Sequence, residues 1–216
     1  MTYTEFVKAY IRGQHPGDPI YTDRIAEVAA AEFGIDKKKA AAAVAVAVKR
    51  IMDGGLFPDL RCYQKGIYYR TVSTPFGEMG ISREKLIADK YLLPDQGYET
   101  GLGFLHRLGM TTQMPAERLL ATNAARDCVR YDEKLGISIC PPKTMVNAEN
   151  KAYLQILDAM ELLDKAPVDA QAPYALLAAH IRRNALQYEN LLFYADRFYN
   201  RKTVLQLAHT AGQEVG

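Results

Sequence analysis

Apolar positions recur every three to four residues from the start of the chain, and breakers cut that recurrence into short pieces. A first helix is predicted over residues 4–12, ending at Gly13 before Gln14-His15-Pro16-Gly17-Asp18-Pro19. Thr22 is placed to cap a second helix that runs to residue 33. Asp23 suits its first turn and Gly34 closes it. Asp36 caps a third helix lasting to about residue 53, where Gly54-Gly55 stops it. Two β-prone runs follow, residues 61–64 and 67–70, joined through Lys65-Gly66. Gly66 supplies the positive φ that a tight turn needs. Three short helices followed by a hairpin is the pattern of a winged helix-turn-helix.

Projected at ~100° per residue, the third helix separates into two faces. Ala40, Val44, Ala47, Val48 and Ile51 form the side for a core. Lys38, Lys39, Ala42, Ala45, Val46, Lys49 and Arg50 lie on the other. Small side chains edged by cations let a helix approach a groove closely. A solvated basic face is the plainer reading of such a helix by itself, and the hairpin beside it favours DNA binding.

Beyond residue 70 the spacing changes. Residues 71–80, with Pro75, Gly77 and Gly80, read as a connector, so the expected domains are 1–75 and 80–216. In the second, a helix is expected near 83–90 and a short strand at 97–100. A short helix over 102–108, a turn over 111–115 and strands at 118–122, 128–131 and 137–140 come next. Helices then cover 147–164, 174–188, 189–199 and 202–211. The fold class expected is α+β: a winged helix followed by a mixed α/β domain with a helical C-terminal part.

Charge sharpens the picture of the first domain. The net charge of +2 divides unevenly, because residues 36–70 hold eight basic residues against three acids and carry +5, leaving about −3 for the rest. Positive charge sits on the third helix and the hairpin, where a duplex backbone would need it. Lys38, Lys39, Lys49 and Arg50, with Ala42 between them, are the expected groove contacts. Lys65 and Arg70 are expected to hold phosphate from the hairpin. That face offers no Asn, Gln or Ser for reading base edges.

Composition is that of a globular domain, 49% hydrophobic and 24% charged. No apolar run is long enough to span a bilayer, and the first residues lack the pattern of a signal peptide. Cys62, Cys128 and Cys140 are odd in number and far apart, which fits reduced thiols in a cytoplasm. No metal or cofactor is implied.

Two carboxylate–lysine spacings raise a metal-dependent nuclease reading: Asp132-Glu133-Lys134 and Glu149-Asn150-Lys151. The first precedes Gly136 and reads as a charged turn. The second reads as a helix start, where alternate side chains diverge by ~200°. The three serines, Ser73, Ser82 and Ser138, occupy no nucleophile elbow. His15, His106, His180 and His209 show no ligand spacing. The expectation is therefore not an enzyme.

Several stretches resemble the AbiEi-like antitoxins, transcriptional regulators of type IV toxin–antitoxin systems. In the first domain these are Lys49-Arg50-Ile51, Lys65-Gly66-Ile67-Tyr68-Tyr69-Arg70 and Thr74-Pro75-Phe76-Gly77-Glu78. In the second they are Gly97-Tyr98, Thr100-Gly101, Leu108-Gly109-Met110-Thr111-Thr112-Gln113-Met114-Pro115 and Ala121-Thr122-Asn123. Glu149-Asn150, Gln155-Ile156-Leu157-Asp158-Ala159 and Tyr194-Ala195 complete the set. The resemblance implies two roles: repression of its own promoter through a winged helix on double-stranded operator DNA, and counteraction of a nucleotidyltransferase-like toxin through the second domain. Arg107, Thr111, Thr112 and Gln113 are the expected partner-binding residues, with a purely structural turn as the alternative for Gln113. A winged helix turned to protein contacts, without specific DNA binding, is the remaining alternative.

Overall fold

Three amphipathic helices bury one face each in the first part of the chain. The computed structural model describes residues 1–213. The chain divides into two units, Met1–Leu86 and Ile87–Gly216, and is mixed α+β.

In the first unit, α1 (Tyr3–Arg12), α2 (Thr22–Phe33) and α3 (Lys37–Asp53) pack around Val7, Ile11, Ile25, Ala29, Val44 and Ile51. Helix α1 opens on a capping box between Thr2 and Glu5, and Asp36 caps α3 by accepting from the N–H groups of Lys38 and Lys39. The buried residues of α3 are Ala40, Val44, Ala47, Val48 and Ile51, the face that the periodicity predicts.

The hairpin forms from β2 (Leu60–Gln64) and β3 (Ile67–Arg70), antiparallel, with a bulge between Cys62 and Gln64. Gly66 takes φ +86° at its turn. A strand that local pattern did not predict, β1 (Ile20–Tyr21), pairs with the other edge of β3 and gives the sheet order β1-β3-β2. This strand moves the start of α2. Tyr21 is the N-cap residue, and Thr22, expected as the cap, instead spends its N–H and hydroxyl on the Gly66 carbonyl.

The stretch expected as a connector is built into this unit. Strands β4 (Ser73–Thr74) and β5 (Gly77–Glu78) form a small hairpin. The Thr71 hydroxyl donates to the Met79 carbonyl at 2.7 Å, the Ser82 N–H donates to the Gly17 carbonyl at 2.8 Å, and Lys85 pairs with Asp18 at 2.6 Å. The boundary accordingly falls at Leu86–Ile87, within α4 (Arg83–Ile87).

The second unit opens with a π-helical turn, Ala88–Leu92. Strands β6 (Gly97–Thr100), β7 (Arg118–Thr122), β8 (Arg130–Asp132) and β9 (Ile137–Cys140) form a sheet of order β6-β7-β9-β8, in which only β7 and β9 run parallel. Helix α5 (Gly101–Arg107) leaves directly from β6. Helices α6 (Lys151–Leu162), α7 (Pro173–Arg183), α8 (Tyr188–Phe198) and α9 (Arg201–Gly212) supply most of a core around Leu105, Met110, Leu157, Leu177 and Leu191. The α6 pattern predicted a start at residue 147. The helix begins later because Asn147 and Asn150 close a turn first: the side-chain carbonyl oxygen of Asn147 accepts from the N–H groups of Glu149 and Asn150. Among the described residues no helix is long and apolar enough to cross a membrane.

Candidate nucleic-acid interface

Helix α3 is held by its apolar face against α1 and α2, so its opposite face is left to solvent. Lys38, Ala42, Ala45 and Lys49 succeed one another at helical spacing and form one exposed stripe. Lys39, Val46 and Arg50 flank it, all exposed, with Val46 51% exposed. Nothing bulkier than valine stands between the cations. The side chains of Lys38, Lys39, Lys49 and Arg50 make no hydrogen bond or ion pair with any described residue, and the same holds for Lys65 at the hairpin turn. Lys37 differs: it pairs with Glu27.

Arg70 does not join this surface. Its guanidinium pairs with Asp59 at 2.7 Å and also donates to the carbonyls of Arg12 and Gln14, at 3.3 and 3.4 Å. The side chain is only 25% exposed. Alternation along β3 places it on the face of Tyr68, toward the end of α1, so its charge is consumed in joining helix, loop and sheet. Arg61 is likewise paired, with Glu78 at 2.8 Å.

In the second unit the expected partner-binding residues separate into two kinds. Thr111 is buried and its hydroxyl oxygen accepts from the Gln113 N–H. Thr112 is clasped by Asp169, which accepts from its N–H at 2.9 Å and its hydroxyl at 2.6 Å. Those two bonds hold the Asp169 carboxyl below its ordinary range. Arg107 pairs with the buried Glu99 at 3.0 Å and lies over the Phe104 ring. Gln113 is exposed, and its side chain bonds no described residue; Met114 beside it is 76% exposed. The threonines thus fix the loop, and Gln113 and Met114 are what it displays.

Neither carboxylate–lysine spacing builds a metal site. Asp132 ends β8 and accepts from Lys90 at 2.8 Å, the Tyr91 hydroxyl at 2.7 Å and the Leu135 N–H at 3.1 Å. Burial opposes its ionisation, but these donors and the Lys90 charge outweigh burial and bring its pKa down to about 2. Glu149 lies in the turn before α6, and Lys151, the first residue of that helix, faces Asp95 at 3.8 Å. Among the described residues no group of three or more His, Cys, Asp or Glu is arranged to hold a metal.

Sequence reasoning passed over a carboxylate in this unit that three hydroxyls surround. Asp158, on α6, accepts from the Tyr199 hydroxyl at 2.7 Å, the Tyr98 hydroxyl at 3.0 Å and the Thr100 hydroxyl at 3.1 Å. Burial raises its pKa against the pull of those three donors, and raises both phenols. Cys140 is pushed up to about 11, first by burial and then by the Asp158 charge, which keeps it a thiol. Every oxygen of Asp158 is engaged within the fold, so the cluster ties β6, α6 and the end of α8 together. Spacing could not reveal it, since its members lie 41 to 60 residues apart. No protein-family model matches the chain, and no curated protein matches it.

Proposed function

We propose that the first unit is a winged helix that binds double-stranded DNA, with α3 in the groove and the β2–β3 turn as its wing. The observation that carries this reading is the outer face of α3: four cations with no partner among the described residues, framing a strip of alanines and a valine. Three helices with a sheet of order β1-β3-β2 support it. Lys38, Lys39, Lys49, Arg50 and Lys65 hold phosphates, and Ala42 lets the helix approach. Lysine-rich contacts position a duplex more than they read it, so binding is expected to depend weakly on sequence. Arg70 acts as a brace and not as a contact.

The resemblance to the AbiEi-like antitoxins extends the proposal: the chain is a regulator and antitoxin that represses its own promoter and counteracts a nucleotidyltransferase-like toxin. The part of the second unit offered to such a partner is the tip Gln113-Met114, presented by the threonine clasp.

The deciding experiment combines Lys38→Glu, Lys39→Glu and Lys49→Glu and measures duplex binding at several salt concentrations. Removing one phosphate-binding cation flattens the slope of log K against log salt by ~0.9, and the three together act in proportion. The fold should survive, because Lys38 and Lys39 lie in the first turn of α3, where acids suit a helix, and none of the three side chains has a partner among the described residues. Unchanged affinity and slope in a folded variant would sink the DNA reading.

A further inference from the structure

Helices α5 and α7 of the second unit line a cleft of about 430 Å³ that neither DNA nor the Gln113 tip uses. Phe104, Arg107 and Leu108 supply one wall at i, i+3 and i+4, and Leu176, His180 and Arg183 the other at i, i+4 and i+7. Its floor is apolar and aromatic. The Phe104 ring is buried and meets the His180 imidazole edge-on at 5.7 Å. Its ionisable side chains among the described residues are Arg107, His180 and Arg183, and no described carboxylate lines it.

Charge in this cleft is under-compensated. The Arg183 guanidinium has no ion pair with a described residue. Arg107 shares a single oxygen of Glu99 with Arg118, at 3.0 and 3.3 Å. The His180 imidazole makes no hydrogen bond with any described residue. Burial, then the charges of Arg183 and Arg107, hold that imidazole below its ordinary range. Arg107 and Arg183 are the last residues of their helices, where carbonyl ends ease their mutual repulsion, and Arg183 keeps its guanidinium without an ion pair to a described residue.

We propose that this cleft binds a small organic anion: a phosphate or carboxylate head held by Arg183 and Arg107, with an attached ring lying against the half-buried Leu176 between α5 and α7. Planar forked donors above an apolar floor fit that ligand better than a bare inorganic ion. The inference is independent of DNA binding, since it concerns a different unit and different cations.

Calorimetric titration of the full chain with phenyl phosphate, benzoate, inorganic phosphate and benzyl alcohol tests it. Phenyl phosphate or benzoate should bind saturably, and the tighter of the two identifies the head group. Inorganic phosphate and benzyl alcohol should each bind at least about tenfold more weakly. Arg183→Gln, at an exposed position without an ion pair among the described residues, should weaken the aryl anions about tenfold or more and leave the melting curve unchanged. Failure of both aryl anions to saturate would overturn the proposal, as would affinities that Arg183→Gln leaves untouched. So would loss of duplex affinity in Arg183→Gln with aryl-anion binding intact, which would make the cleft part of a DNA surface. Aryl-anion binding that persists in the Lys38, Lys39 and Lys49 triple variant separates this site from the DNA reading.

Discussion

Removing the acceptor at the centre of the Asp158 cluster should cost more than removing any one of its donors. Tyr199→Phe deletes a single hydroxyl and keeps the ring, while Tyr98 and Thr100 continue to serve the carboxylate. A hydrogen bond to a charged group is worth ~1.5–3 kcal/mol, which is the loss expected for this variant. Asp158→Ala instead strips the partner from the Tyr98 and Thr100 hydroxyls, each orphaned at ~1–3 kcal/mol. Tyr199 retains the Leu154 carbonyl at 3.2 Å and suffers less. The sum, ~2–6 kcal/mol, is a large part of the roughly 5–15 kcal/mol typical of a domain. The double variant should lose less than the two single losses added, because both delete the same bond. Urea unfolding, with hydrogen exchange of the α6 amides, measures all three. Dependence on pH has a definite sign. Burial raises Asp158 above its ordinary 3.8, so between 3.8 and the raised value the native state binds more protons than the unfolded chain. The stability of the wild type relative to Asp158→Asn should therefore fall as pH rises through that window. A Tyr199→Phe loss equal to or greater than that of Asp158→Ala, or a relative stability that climbs with pH, would refute this account.

Arg70→Gln should destabilise the first unit by ~1–3 kcal/mol, by removing the Asp59 pair and the bonds to the carbonyls, while the salt slope of DNA binding stays as in the wild type. A flatter slope would return Arg70 to the DNA surface. Asp132, with its pKa at about 2, contributes stability that is complete above its ordinary 3.8 and is lost as pH falls from there toward 2. An acid-unfolding series in which Asp132→Asn loses stability as steeply as the wild type would contradict that. Gly97→Ala should lose ~3 kcal/mol or more, since an added Cβ would stand 2.3 Å from the Tyr91 carbonyl oxygen and 2.7 Å from that of Ala121. A wild-type melting temperature would disprove the close approach. Gln113→Ala should leave stability unchanged, its side chain being exposed and bonded to no described residue, and should abolish rescue when a cognate toxin is co-expressed; full rescue would remove Gln113 from the partner surface.

What local chemistry decides was legible in the residues themselves. The buried face of α3 followed from its period, and its start from Asp36. The β2–β3 turn followed from Lys65-Gly66, and the bounds of β6, β7 and β9 from short β-prone runs between breakers. Each rests on neighbours within a few positions, where helix period, capping and turn geometry act. Tertiary structure decided everything that depended on a distant partner. The two-residue strand β1 exists only because β3 lies beside it, and that pairing took Thr22 from the cap. Arg70 looked like Lys65 in the sequence; Asp59 and the end of α1 turned it inward. Thr111, Thr112 and Gln113 read alike as polar turn residues until Asp169, 57 positions from Thr112, claimed one of them. Asp158 was one carboxylate in a helix until Tyr98, Thr100 and Tyr199 converged on it. The physical reason is common to all four: a side chain's charge or hydroxyl is available for function only after the fold has settled which buried partner it must satisfy.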